Sequence, residues 1–393
     1  MNLDDVLKQD LLERQQQSLY RRRKITDSAQ QVHLKINGQA LLSFCSNDYL
    51  GLANHPDIAR AFKSAVDTWG VGSGSAHLVS GHSRVHHELE EALAEYTGRS
   101  RALLFSTGYM ANLGIVNALM GKDDLIIQDK LNHASLIDAA LLSTAFSASQ
   151  FKRYSHNNMQ HLEKLLADAD PEVRKLLMSD SVFSMDGDLA QIQEMSQLSN
   201  NYDAWLMLDD AHGFGVLGKN GAGAAEQYQL DQTQLPVYMA TLGKAMGVAG
   251  AFVSGSDALI ETLIQKARSF IYTTAMPPAL AHALLVSLKI SQQESWRRDK
   301  LKQLIVRFRC GCEQRGINLM ASPTAIQPIL IGSNEQALKF SLALEKMGIL
   351  IAAIRPPTVP RGTARLRVTL SAEHSEQDID QLLNAFEQTG MAA

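Results

Sequence analysis

A single lysine, Lys244, sits in the stretch TLGKAMG (residues 241–247), directly after the apolar run PVYMA. A strand that delivers a lysine into a glycine-containing turn is an unusual place for a solvated surface charge. Four other apolar runs also end on residues that can do chemistry. ALLF leads to Ser106, Thr107, Gly108 and Tyr109, a turn opening a helix whose backbone N–H groups can take a phosphate. DLIIQD leads to His133, SDSVF to Ser184, Met185, Asp186 and Gly187, and WLML to Asp209, Asp210 and His212. Each has a plain structural reading: a satisfied histidine, aspartates that cap a helix, a serine in a turn, an ordinary surface lysine. Those plain readings would all have to hold together, at corresponding positions on successive strands. In open α/β sheets, ligands gather at the carboxyl ends of the strands.

One ligand accounts for the whole set. A lysine amine forms a Schiff base with an aldehyde, a carboxylate keeps a pyridine nitrogen protonated, and histidines contact the ring. A helix N-terminus and hydroxyls take a phosphate. This is the requirement of pyridoxal 5'-phosphate (PLP), with Lys244 as the Schiff-base lysine and the flanking glycines leaving room for the cofactor. Two glycine-rich stretches compete for attention. GFGVLGKN (213–220) begins like a nucleotide P-loop, but Asn220 stands where Ser or Thr should hold Mg²⁺ and no clear helix follows Lys219. GVGSGSAHLVSG (70–81) looks like a dinucleotide fingerprint, yet it follows a helical segment rather than a strand. Its glycines point to a backbone held close to a ligand or to a second subunit.

The elements that must position these residues are legible as a rhythm. Short apolar strands alternate with helical segments from about residue 57, which predicts an α/β fold with a mostly parallel sheet and helices on both faces. Near residue 285 the rhythm changes to a smaller α+β pattern. The expected divisions are an N-terminal segment (1–55), a large domain (56–285) and a small C-terminal domain (286–393). Residues 3–23 read as an amphipathic helix ending in Arg21, Arg22 and Arg23. QVHLKINGQALLSF reads as a hairpin turning at Asn37–Gly38. With 393 residues, 45% hydrophobic and 20% charged, the chain can bury a large core. A net charge of -4 argues against non-specific nucleic-acid binding. No secretory signal is read at the acidic start, and no apolar run reaches the ~18 residues of a membrane helix. Cys310 and Cys312 are two apart in a probable helix, poor geometry for a disulfide or metal pair, so a reduced, cytoplasmic protein is expected and no metal ligands are assigned.

The chain resembles the α-oxoamine synthases, PLP enzymes of the aspartate-aminotransferase-like type I fold. The resemblance runs through SNDYLGL (46–52), GSGSAHLVSGHS (72–83), NHASL (132–136), VFSMDGD (182–188), LDDAHGFGVLG (208–218), TLGKAMG (241–247), IYTTAMPP (271–278) and AIRPPTVPRGTARLRVTL (353–370). It implies that Lys244 binds the cofactor aldehyde, Asp209 pairs with the pyridinium nitrogen, His133 stacks on the ring and His212 bonds the ring oxygen. Gly108, Tyr109, Ser184 and Thr241 complete the cofactor pocket, and Thr274 reaches the phosphate of the other subunit of a homodimer. Arg367 grips the amino-acid carboxylate, while Arg21, Asn47 and Thr358 match substrate-contacting positions. His77 departs from the pattern, since many relatives carry Arg there. The segment 353–370 and the three arginines favour the member that joins L-alanine to a pimeloyl thioester, on CoA or a carrier protein, with loss of CO2. Within the family the alternative is another acyl transfer, such as glycine with acetyl-CoA. Outside it stand a catalytically silent PLP-fold protein and a nucleotide-binding protein.

Overall fold

The computed structural model describes residues 2–391. The chain opens with helix α1 (Leu3–Gln16) and the hairpin β1 (His33–Ile36) and β2 (Gln39–Ser43). Helices α2 (Pro56–Trp69) and α3 (Arg84–Thr97) lead into seven strands: β3 (Arg101–Phe105), β4 (Leu125–Asp129), β5 (Gln150–Tyr154), β6 (Lys175–Asp180), β7 (Ala204–Asp209), β8 (Val237–Thr241) and β9 (Ala251–Gly255). Helix α4 (Gly108–Leu119) follows β3 and α5 (Ala134–Ser147) follows β4. After helices Pro278–Gln293 and Trp296–Gln314 come β10 (Ile326–Gly332), β11 (Ile349–Leu350), β12 (Ala352–Ile354) and β13 (Ala364–Thr369), with helix Glu376–Gln388 last.

These elements fall into two compact units. The larger runs Leu50–Ser184 and Leu189–Arg298. The smaller comprises residues up to Tyr49, Met185–Asp188 and residues from Asp299 onward. The larger unit is built on one seven-stranded sheet in the order β3-β9-β8-β7-β6-β4-β5. Strands β8, β7, β6, β4 and β5 pair in parallel, and β9 runs antiparallel to both of its neighbours. β3 therefore points the same way as β8, and the carboxyl ends of β3, β4, β6, β7 and β8 share one edge. The central strands are unbroken apolar runs because both faces are covered. Ile126, Leu176, Met207 and Val253 are all fully buried with Ile115 of α4 and Leu136 of α5. Each such side chain contributes roughly 1.5–3 kcal/mol relative to exposure. At the edge, β5 carries Lys152 and Arg153, charges of the kind that keep an open edge from pairing further.

The smaller unit holds two three-stranded sheets, β1-β2-β11 and β10-β13-β12. The hairpin forms as read: Ile36 pairs with Gln39, and Asn37 and Gly38 both take positive φ, 48° and 78°. The N-terminal helix differs from expectation. It stops at Gln16, Ser18 turns to φ 54°, and Arg21–Arg23 lie beyond it. No side chain of α1 is buried, and Leu3, Leu7 and Leu11 stay exposed. With no face to bury, nothing carries the helix into three consecutive like charges.

The turn after β8 shows why glycine flanks the lysine. Gly247 takes φ +68°, and a Cβ there would lie 2.5 Å from the backbone N of Ala53. A Cβ on Gly243 would meet nothing closer than 3.8 Å. Gly247 thus serves close packing of two backbone segments rather than cofactor room. Replacing Gly247 by Ala should cost about 2–4 kcal/mol, combining a left-handed backbone and overpacking. Gly243→Ala should stay within about 0.5 kcal/mol in cofactor-free protein. Urea unfolding of the two variants checks the contrast, and equal losses would contradict it.

Candidate active site

The strand ends of the larger unit bring most of the chemistry-bearing residues together. Asp209 closes β7 with its side chain buried. Its Oδ1 accepts the Ala211 N–H at 3.0 Å, and its Oδ2 accepts Asn112 Nδ2 at 2.8 Å. Asn112 also donates to Ser135 Oγ at 2.8 Å. Ser135 Oγ lies 2.7 Å from His133 Nδ1, and the Ser135 backbone N–H donates to the same nitrogen at 3.2 Å. His133 is the N-cap of α5, so its ring is fixed through Nδ1 and its proton sits on Nε2. Burial pushes this imidazole below its ordinary range, Asp209 opposing and Lys244 assisting. His133 is therefore neutral at pH 7.

Lys244 is half-buried in the turn that follows β8, three residues past Thr241, with its Nζ 2.9 Å from His212 Nε2. Thr241 ends β8 and is held by the Gly250 carbonyl at 3.0 Å. Thr107 caps α4 by accepting the Met110 N–H at 3.1 Å. The first amides of that helix, Gly108 and Tyr109, have no intrahelical acceptor by geometry, and the positive end of the helix dipole lies there. Tyr109 itself is exposed, its hydroxyl on Asp138. Ser184 lies in the turn after β6, half-buried. Thr274 stands apart from this group, exposed, its backbone bridging Ala76.

Two acids around this cluster are shifted upward. Asp180 is buried; its Oδ2 accepts the His133 backbone N–H at 2.6 Å and its own N–H donates to Asn132 Oδ1 at 3.1 Å. Burial, then the neighbouring Asp209, hold its carboxyl well above the usual range. Asp210 points the other way from Asp209, onto Ser181 Oγ, Tyr238 Oη (2.6 Å) and the Ala224 N–H (2.7 Å). Burial pushes it up to about 6 against those donors. The glycine-rich 213–220 segment wraps this carboxylate: a Cβ on Gly213 or on Gly223 would lie 2.1 Å from one of its oxygens. Only a four-residue helix, Ala224–Gln227, follows, so this segment is a carboxylate cradle and not a phosphate loop.

The residues fit PLP. An amine, a fixed carboxylate, a neutral imidazole and a capped helix N-terminus are the donors the cofactor needs, and Asn112 Oδ1 is a buried acceptor without a partner. Asn112, Ser135 and Asp180 were not singled out from the sequence. Asn112 alone left a trace there, as a polar residue in the apolar helix GYMANLGIVNAL.

The remaining sequence-predicted residues lie in the smaller unit and form two pairs. Arg367, on β13, donates through both Nη atoms to Asn47 Oδ1 at 3.2 Å and to Thr369 Oγ1 at 2.9 Å. Arg21 Nη2 donates to Thr358 Oγ1 at 3.1 Å, both exposed.

Residues 39–386 match the profile of aminotransferase class I and II. The chain belongs to that family. Within it the chain stands with the 8-amino-7-oxononanoate synthases. It is 54% identical over 379 residues to the one from Nitrosococcus oceani, covering 96% of this chain and 99% of that one. It is 56% identical over 376 residues to the one from Pseudomonas aeruginosa, covering 96% and 92%. Among solved structures, Sphingomonas wittichii serine palmitoyltransferase superposes with a TM-score of 0.94 at 29% identity over 100% of both chains. The 8-amino-7-oxononanoate synthase from Francisella tularensis gives 0.77 at 30% identity, covering 89% of this chain and 98% of that one. The protein has the type I fold of PLP-dependent transferases and is a PLP-dependent acyltransferase.

The buried Asp210 sets a pH signature. Burial holds its carboxyl at about 6, above the ordinary aspartate value of 3.8. The protonated form is favoured by folding, so the contribution is complete below the unfolded pKa and is lost as pH rises through the folded one. The difference in unfolding free energy between wild type and Asp210→Asn should therefore change by about 2 kcal/mol from pH 4 to pH 6, favouring wild type at the acid end. Urea titrations across that range would show it, and a pH-independent difference would remove Asp210 as a titrating group.

Proposed function

We propose that this chain joins L-alanine to a pimeloyl thioester, on CoA or a carrier protein, releasing the thiol and CO2 to form 8-amino-7-oxononanoate, a step of biotin biosynthesis. The names of the relatives at 52–56% identity support the acyl acceptor and donor. The observation that supports the chemistry is Lys244 Nζ beside His212 Nε2 at 2.9 Å, in the unit that also holds the anchored Asp209. The likeness to serine palmitoyltransferases, at 28–29% identity, carries the shared fold and cofactor; the far higher identity to the synthases favours their substrates.

When bound, PLP supplies an electron sink that stabilises negative charge at the amino-acid Cα. Lys244 would hold the cofactor aldehyde, and its amine, when free, would take the alanine Cα proton and later return one. His212 keeps the amine oriented and accepts its hydrogen bond in the meantime. Asp209, held by Asn112 and the Ala211 N–H, would pair with the pyridine nitrogen. His133, fixed through Nδ1, would pack its neutral ring against the cofactor. Gly108, Tyr109 and Thr241 would hold the phosphate, and Ser184 would line the pocket. Arg367, steadied by Asn47, grips the alanine carboxylate with a planar fork that a lysine cannot reproduce. Arg21 and Thr358 meet the acyl donor. Thr274 serves the partner in a homodimer, for which its exposed position leaves it accessible. A cytoplasmic setting suits the three free cysteines. Among the described residues no helix is long and apolar enough to cross a membrane.

The substrate assignment is tested by supplying holoenzyme with L-alanine and pimeloyl-CoA and measuring thiol release and product mass. Faster thiol release with glycine and acetyl-CoA would move the chain to another branch of the family. Lys244→Ala should lower turnover by at least ~10²–10⁴-fold, the scale of losing a general base. It should also lose the borohydride-reducible chromophore, and retention of that chromophore would refute the lysine. Arg367→Lys should weaken alanine binding by roughly 1.5–3 kcal/mol, read from titration of the cofactor's visible band. Unchanged alanine affinity would place the carboxylate contact elsewhere.

A further inference from the structure

We propose that His82, His87 and Glu90 form a binding site for a first-row divalent metal ion of the Zn²⁺ class, with His77 orienting His82. One potential ligand atom from each of the three lies within 4.8 Å of those of the other two. His87 and Glu90 are three apart on α3 and so share a face, and His82 stands just before the residue that caps that helix. All three line a cavity of about 450 Å³ together with His77, Arg101 and Phe270. No step of the proposed reaction uses them.

The hydrogen bonds already prepare two of the ligands. His82 Nε2 faces Glu90 Oε2 at 3.9 Å, while its other nitrogen, Nδ1, lies 2.9 Å from His77 Nδ1. With the shared proton on His82 Nδ1, the Nε2 lone pair is turned toward Glu90. A metal-bound imidazole normally donates its second N–H in this way. His77 is itself held in place, stacked on Phe270 with ring centroids 5.0 Å apart. Glu90 is anchored through one oxygen, which accepts the Leu104 N–H at 2.9 Å, leaving the other toward His82.

The neighbouring triad His77, His82 and His86 also brings its nitrogens together, but His86 has none to give. Its Nδ1 accepts the Ser83 N–H at 3.0 Å, and its Nε2 faces the Met276 carbonyl at 2.8 Å. Metal–nitrogen and metal–oxygen bonds of about 2.0–2.2 Å put tetrahedral donors roughly 3.4 Å apart, so donors now within 4.8 Å of one another must close by up to about 1.4 Å. His82 is already aimed at Glu90, and His87, its side chain 50% accessible, has room to swing toward the pair. His87 also pairs with Glu91 at 3.3 Å, an exposed contact worth at most about 1 kcal/mol. Arg101 faces the same cavity and opposes a cation, but its guanidinium is engaged by Glu261 at 3.4 Å. Two imidazoles and one carboxylate suit Zn²⁺, Ni²⁺ or Cu²⁺ far better than Mg²⁺ or Ca²⁺, and three protein ligands leave a position for water. A bound ion would fasten the glycine-rich segment that ends at His82 to the first turns of α3.

The test is Zn²⁺ titration of untagged, chelator-stripped holoenzyme by calorimetry, with metal content measured after gel filtration. Wild type should retain about one Zn²⁺ per chain. His82→Ala and His87→Ala should each weaken binding by at least ~10–100-fold, while Glu91→Gln leaves it unchanged. Co²⁺-loaded wild type should show ligand-field bands that His87→Ala lacks. Failure of wild type to retain Zn²⁺ would overturn the site. So would equal affinity in wild type and His87→Ala, which would place the ion elsewhere.

Discussion

One side-chain amide organises the larger unit's chemistry. Asn112 Nδ2 donates at once to Asp209 Oδ2 and to Ser135 Oγ, and so ties α4 and α5 to the end of β7. The same chain of contacts passes through Ser135 to the His133 ring. Three elements that leave the sheet at different strands are thereby held in one register, and a carboxylate and an imidazole are oriented by the same bond. An apolar residue at this position would fill the space but leave Asp209 with a lost partner in a buried site, which is costly where the surroundings are dry. Parallel strands bring these side chains to one edge, and Asn112 decides how they point.

The acids around Lys244 divide their tasks by environment. Asp210 is enclosed by two glycines and three donors and faces away from Asp209, so it holds the 213–223 segment to the sheet. Asp180 is pushed toward its protonated form and supports the cap of α5 through the His133 N–H. Of three neighbouring carboxylates, Asp209 alone is presented by side-chain amide and backbone N–H donors together. Crowding several acids near one amine is affordable because two of them are absorbed into the scaffold.

Much of this was readable from the sequence because a parallel sheet buried on both faces writes each strand as an apolar run that stops at its functional end. Lys244, Asp209, His212 and His133 stand after such runs, and the Asn37–Gly38 hairpin shows in its turn chemistry. Other features leave no such trace. The apolar pattern of AFVSG gives no strand direction, so the antiparallel β9 is invisible in it. QFKRY is broken by the charges an edge strand needs. Asn112 looks like a minor blemish in an apolar helix until its partners, 23 and 97 residues away, are known. The end of α1 was misjudged because a helical pattern without a buried face has nothing to set its length. The residues Met185–Asp188 belong to the smaller unit although their neighbours on both sides belong to the larger, and no composition change marks such an excursion.

Strand β13 shows how two like residues two positions apart acquire different roles. Arg365 and Arg367 alternate on the same face and are both buried. Buried Arg365 meets the half-buried Asp186 carboxylate at 2.7 Å, a pair whose charge is cancelled within the scaffold. Arg367 is steadied by the neutral oxygens of Asn47 and Thr369. Both of these acceptors fix the direction of its guanidinium on the strand. The difference in setting between the two arginines therefore lies in an acid at Asp186 and an amide at Asn47, not in the arginines themselves.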